Sequence, residues 1–304
     1  MAYRLKPEAD FRDTVQSVLA EQLQQAEHLL ETAPNGLHDA IHAARKRLKR
    51  SRALYRLIAA AIPDLRQQEN ARLRDIARRL STVRDAAALV ETLGFLETHA
   101  ESEGERQALS EAKTAFTARR ERIAEATGDL ADAAKRAAQG CREALAAFEA
   151  EADLPQRPAK SARIIAKGWK KTMKRAANAL VQCREAPHSE AFHDLRKATQ
   201  TYWMQLSLLR DLWPSALSAK RQTAKQLADC LGHEHDLSVL AGVLDAEAGL
   251  FADAETLSHL FGLIIRQQQA LREDALTRAE TLFADGPEPE ASIIAALWLR
   301  AATD

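Results

Sequence analysis

The chain has 304 residues, 43 Lys and Arg balanced by 43 Asp and Glu, and a hydrophobic fraction of 46%. That much apolar material supports a real core and excludes wholesale disorder. With only 11 Gly, 9 Pro and 5% aromatics, the composition speaks against a β-sandwich or barrel and for helices.

Hydrophobic periodicity near 3.6 residues predicts helices at 8–31, 37–62, 65–82, 85–100, 105–127 and 129–152. A break follows at Leu154-Pro155-Gln156-Arg157-Pro158. Further helices are expected at 159–183, 189–212, 215–231, 236–248, 253–284 and 289–301. Pro34-Asn35-Gly36 reads as a turn, Pro63 and Pro214 as the ends of long helices, and Gly286-Pro287 as a stop. No apolar run reaches the ~18 residues of a membrane span. The opening MAYRLKPEAD lacks a signal peptide's apolar stretch, and Cys141, Cys183 and Cys230 are too scattered for a disulfide framework or a Cys-based zinc site. A cytoplasmic protein is the default expectation.

Zero net charge hides segregation. Residues 42–84 hold 13 bases against 3 acids, and 156–184 hold 9 bases and no acid. The acids concentrate in 85–155 and 226–304. Local patches of this kind govern anion binding more than the sum does.

A shift of 151 residues superimposes two long segments without a gap. Ile41-His42 falls on Phe192-His193, and Arg45-Lys46 on Arg196-Lys197. Pro63 meets Pro214, Leu80 meets Leu231, Asp85 meets Asp236, and Leu93 meets Leu244. Two copies of a helical unit, 1–154 and 159–304, are therefore expected.

The copies carry a resemblance. The first reads I-H-A-A-R-K-R-L-K-R-S-R and later R-R-L-S-T-V-R-D-A-A-A-L; the second reads F-H-D-L-R-K-A-T-Q-T-Y-W and later L-G-H-E-H-D-L-S-V-L. Together with Tyr3-Arg4-Leu5 and the run Gly168-Trp169-Lys170-Lys171-Thr172-Met173-Lys174-Arg175, they resemble the two halves of the CHAD domain, the conserved histidine α-helical domain. The resemblance implies an all-α fold of two helical bundles, related by a pseudo-twofold around a basic central cavity. It also implies binding of inorganic polyphosphate without catalysis, in the cytoplasm and within reach of polyphosphate granules. The second copy departs from the first: Gln200, Thr201, Trp203 and Ser207 stand where the first has Lys49, Arg50, Arg52 and Arg56. Unequal contributions from the halves are expected.

On a helix, His42, Arg45, Lys49, Arg52 and Arg56 form one stripe, with Lys46 on its flank and Arg50 continuing the run. Fourteen residues span ~21 Å, a length suited to a linear polyanion. Arg grips phosphate oxygens bidentately and Lys acts as a point charge. Arg74, Arg78, Arg79 and Arg84 are expected to extend the field. Lys167, Lys170, Lys171, Lys174 and Arg175 form another candidate wall, and His193, Arg196, Lys197 and His235 the second copy's share.

His38 and His42 have chelating spacing, but His38 aligns with Ser189, so a phosphate or network hydrogen bond is preferred to a metal for the histidines. Asp85 and Asp236 read as helix N-caps. Glu101, Glu103 and Glu105 form a carboxylate triplet at an expected helix break. No P-loop, G-x-S-x-G or H-E-x-x-H is present, and no cofactor is implied. Two other readings compete. One is a nucleic-acid-binding module, disfavoured because only Tyr55 and Trp169 lie in the two most basic segments. The other is a scaffold that recruits a protein through its acidic helices.

Overall fold

The computed structural model describes residues 3–303 apart from 81, 127–129, 248, 250 and 252–253; for 82–85 and 124–126 it describes the backbone alone. The described residues form eleven α-helices and no strand. They are α1 (Phe11–Thr32), α2 (Leu37–Leu57), α3 (Pro63–Arg79), α4 (Thr82–Glu97), α5 (Glu103–Ala126), α6 (Leu130–Glu151), α7 (Pro158–Glu185), α8 (Ser189–Leu209), α9 (Pro214–Ala246), α10 (Ala254–Leu282) and α11 (Pro287–Ala301). A 3-10 turn, Arg210–Leu212, links α8 to α9. Among the described residues no helix is long and apolar enough to cross a membrane.

Local chemistry accounts for the boundaries. Asp10 caps α1, its side chain accepting hydrogen bonds from the backbone N–H of Arg12 at 2.8 Å and Asp13 at 3.2 Å. The helix ends with Ala33 in the left-handed region, and the turn closes through Gly36 at φ 89°. Ser102 and Glu105 form a capping box on α5. Ser102 Oγ accepts from Glu105 N at 3.1 Å, and Glu105 Oε2 accepts from Glu101 N at 2.7 Å and Ser102 N at 3.3 Å. The carboxylate triplet is thus split, with Glu105 fixed in a cap and paired with Arg266 at 2.8 Å.

Two expectations about punctuation are corrected. Pro63 and Pro214 do not end helices; with Pro158 and Pro287 they open α3, α9, α7 and α11, where proline's missing N–H costs nothing. Nor does the chain break between 231 and 236, because α9 runs unbroken through Gly232. Buried Glu234 holds that stretch, accepting from Arg272 of α10 at 2.7 Å while Arg272 stacks over Phe192 of α8. Asp236 therefore sits inside a helix and caps nothing. The side chain of Asp85 lies outside the described residues.

Apolar residues gather in two cores. The larger draws on α1, α2, α3, α6, α7, α8 and α11, on α9 up to Leu231, and on α10 from Ala275. The smaller joins Leu89, Leu93 and Leu96 of α4 and Leu109 and Phe116 of α5 to Leu237, Leu240 and Leu244 of α9 and Leu260 and Leu263 of α10. Both cores draw residues from either side of position 155. Helix α2 packs against α7 and α8 as well as α1 and α3, which places its basic stripe at the centre of the molecule.

Candidate anion-binding site

Four of the α2 cations keep to one side of the helix. Ala44, Leu48, Leu54 and Leu57 are buried in the core, and the intervening Arg45, Lys49, Arg52 and Arg56 reach past it toward α3, α7 and α8. The three arginines are anchored differently. Arg45 Nη1 donates to Ala77 O of α3 at 2.5 Å, Arg52 Nε to Asn70 Oδ1 of α3 at 3.0 Å, and Arg56 Nη1 to Thr201 Oγ1 of α8 at 2.8 Å. His42 is partly buried at the start of the stripe, and Lys46 is exposed on its flank.

These cations repel one another. Burial first, then the charges of Arg196, Arg45 and Arg52, push the Lys49 ammonium down to about 8, against some relief from Asp236. Burial together with Arg52, Arg175 and Arg66 pushes the Arg56 guanidinium down to about 9. Arg52 is lowered by burial and by Arg74 and Arg175, and Arg196 by burial, partly offset by Asp236 and Glu234. Four helices thus bring positive charge into mutual range, an arrangement that costs free energy until an anion neutralises it.

Two features make the site receptive. The Nε groups of Arg66 and Arg196 are buried with no hydrogen-bond partner among the described residues. Beside Arg196, the rings of His193 and His235 stack at 4.4 Å between centroids, and His193 Nδ1 is also buried without a partner. Burial, then Arg196, His193, Lys49 and Lys197, push His235 down to about 4; His193 is lowered by burial, then by Lys197 and Arg196. Both imidazoles are therefore neutral at pH 7, able to donate from one nitrogen and accept at the other.

A CHAD domain sequence model matches residues 17–245. The chain belongs to the CHAD domain family. The crystal structure of the CHAD domain from the plant Ricinus communis matches with a TM-score of 0.64 at 20% identity, over 93% of this chain and 95% of that one. None of the curated proteins matches the chain by sequence.

Within this CHAD domain not every expected cation reaches the stripe. Arg50 points the other way, its guanidinium 5.3 Å from the Tyr3 ring, while Tyr3 Oη donates to Arg50 O at 2.9 Å. Lys170 and Lys174 pair with Glu288 of α11 at 2.8 and 3.1 Å, on the flank of α7 away from Arg175. Lys171 and Arg175 do face α2, and Lys167 is exposed one turn earlier. Helix α3 is split between two faces. Arg74, close to Asp75 at 3.6 Å, acts on Arg52, whereas Arg79 lines a separate cleft of about 280 Å³ against α6, with Arg72 and Arg136. Arg78 is exposed beside Asp75 at 3.4 Å, and Lys197 pairs with Asp194. The side chain of Arg84 lies outside the described residues.

Arg66 was the cation that sequence reasoning missed. Arg66, Asn70, Arg74 and Arg78 recur every four residues on α3, and that spacing was the available signal. The two aromatics within the basic segments, Tyr55 and Trp169, are both fully buried. Among the described residues no cluster of three or more His, Cys, Asp or Glu could hold a metal ion.

Proposed function

We propose that the chain binds inorganic polyphosphate, without catalysis, through the basic faces of α2, α3, α7 and α8. In this reading the half-chains 1–154 and 159–304 are related by an approximate twofold and present α2 and α8 to a shared basic cavity. The observation that carries it is the crowding of Arg45, Lys49, Arg52, Arg56, Arg175 and Arg196, most of them half-buried and each within the field of at least one other. Such a cluster stores repulsion that a chain of phosphates relieves, and release of counterions from that chain adds to the affinity. Family membership supports the same reading.

Catalysis finds little to work with. Burial pushes all three thiols, Cys141, Cys183 and Cys230, up to about 12, far from a reactive thiolate. Nucleic acid loses support because burial of Tyr55 and Trp169 leaves no stacking platform within the basic segments. The intended setting is the cytoplasm, where polyphosphate granules would offer the ligand at high local concentration.

The test is competition across a salt series, with labelled long-chain polyphosphate displaced by unlabelled chains, triphosphate, RNA, heparin and ATP. Long chains should compete far better than triphosphate, and the advantage should shrink as salt rises. Equal or better competition by RNA would overturn the assignment.

A further inference from the structure

The stripe on α2 does not run on indefinitely. It reaches Arg56, and one residue later the helix ends at Leu57, where α7 crosses it. The crossing is backbone against backbone: a Cβ on Gly168 would stand 1.9 Å from Leu57 O and 2.6 Å from Leu57 C. Only glycine permits that approach. Against this wall lies a recess of about 60 Å³ lined by Arg56, Arg66, Lys171 and Arg175, with Thr172, Ala198 and Thr201 beside them. Toward the start of the stripe Lys46 is open to solvent.

We infer that this recess seats the terminal phosphate of a linear polyphosphate chain, so that the protein recognises chain ends as well as chain length. The inference rests on the polyphosphate reading above and deepens it.

Size, charge and vacancy of donors all point there. At ~10–15 Å³ per water-sized group, the recess holds about four such groups, the scale of one phosphoryl unit rather than a length of chain. Four cations surround that one unit. An internal phosphate of a linear chain carries a single negative charge, whereas a terminal one ionises a second time, with a pKa near ~6 for a comparable phosphomonoester. The terminal group therefore matches the local excess of positive charge better than any internal one.

The donors are also in place. Arg66 Nε is buried with no partner among the described residues, and Arg56 spends Nη1 on Thr201. Thr172 Oγ1 donates its hydrogen to Gly168 O at 3.2 Å, which leaves the cations as the donors facing the recess. Repulsion from Arg52, Arg175 and Arg66 weighs on Arg56. A doubly charged group between these side chains would relieve it.

The test compares chains of one length that differ only at their ends. Synthetic polyphosphate of about ten units is prepared with free termini and with both termini capped as phosphoramidates, which leaves each end a single negative charge, alongside cyclic metaphosphate. Full-length protein is titrated with each, as wild type and as Arg66→Gln and Lys171→Gln, with circular dichroism verifying that the variants fold. Wild type should favour free over capped chains by roughly tenfold, the worth of one charge-assisted hydrogen bond to an ionised group. Both variants should lose the preference, binding free and capped chains with equal affinity. Tight but equal binding of free and capped chains by wild type would overturn the terminal seat and leave the polyphosphate reading standing. Failure to bind either would overturn both. Retention of the preference in both folded variants would move the end-recognition elsewhere and refute this placement.

Discussion

Replacing Lys49 by Met should make the protein more stable and a poorer binder. The folded chain holds the Lys49 ammonium at about 8 against an ordinary 10.5. At 1.36 kcal/mol per pH unit, that difference is about 3 kcal/mol of destabilisation carried by the charge at neutral pH. Met keeps the length and apolar stem, so a gain of roughly 1–3 kcal/mol remains after imperfect repacking. The sign with pH follows from linkage. Below about 8 the lysine is protonated whether the chain is folded or unfolded, and the penalty is fully present. Between about 8 and 10.5 the unfolded chain binds more protons, so wild-type stability rises with pH, and above 10.5 the penalty is gone. The advantage of Lys49→Met should therefore be largest at pH 7 and shrink through that window. Urea unfolding of both proteins at pH 7, 9 and 10.5, followed by far-ultraviolet circular dichroism, measures it. The same variant should lower the salt slope of polyphosphate binding by roughly 0.7–0.9 for the lost phosphate contact. A variant less stable than wild type at pH 7, or an advantage that does not decline above pH 8, would refute the account of Lys49 as a strained cation.

The triple substitution Arg45→Ala, Lys49→Ala and Arg52→Ala should reduce that slope by about 2–3, and Arg196→Ala with Lys197→Ala by about 1, since Lys197 is already engaged by Asp194; equal losses would remove the asymmetry between the halves. Gly168→Ala should cost several kcal/mol, at or beyond the ~1–3 usual for overpacking, because the new methyl group meets the Leu57 backbone rather than a yielding side chain; an unchanged urea midpoint would contradict the described crossing. Glu290→Gln should destabilise by about 2 kcal/mol or more, as buried Glu290 takes hydrogen bonds from Tyr202 at 2.7 Å and Lys220 at 2.6 Å. Its thermal midpoint is the readout, with polyphosphate affinity unchanged.

Much of this was legible in the sequence because it depends on periodicity. Helices read from apolar spacing lie close to those observed, and the α2 stripe emerged from cation spacing alone, since side chains three and four apart must share a face. What failed depends on partners far along the chain. Nothing near Arg50 announces Tyr3, and nothing near Lys170 or Lys174 announces Glu288. Apolar spacing leaves 232–235 between two expected helices, yet Arg272, about forty residues on, holds Glu234 in one continuous helix. Arg79 was assigned to the same field as Arg74 because they are near in sequence. Five residues turn a helix by well over a quarter circle, and the two side chains face different neighbours.

The smaller core has a consequence for how such a chain could exist in pieces. Its apolar surface comes from α4 and α5 on one side and from α9 and α10 on the other, so neither pair is self-sufficient. A polypeptide ending near 155 would display Leu89, Leu93, Leu96, Leu109 and Phe116 to water, a stripe that only another chain could cover. Such a piece could hide that stripe only by pairing with a partner, whereas the full chain hides it within one fold, so that an assembly step becomes a folding step.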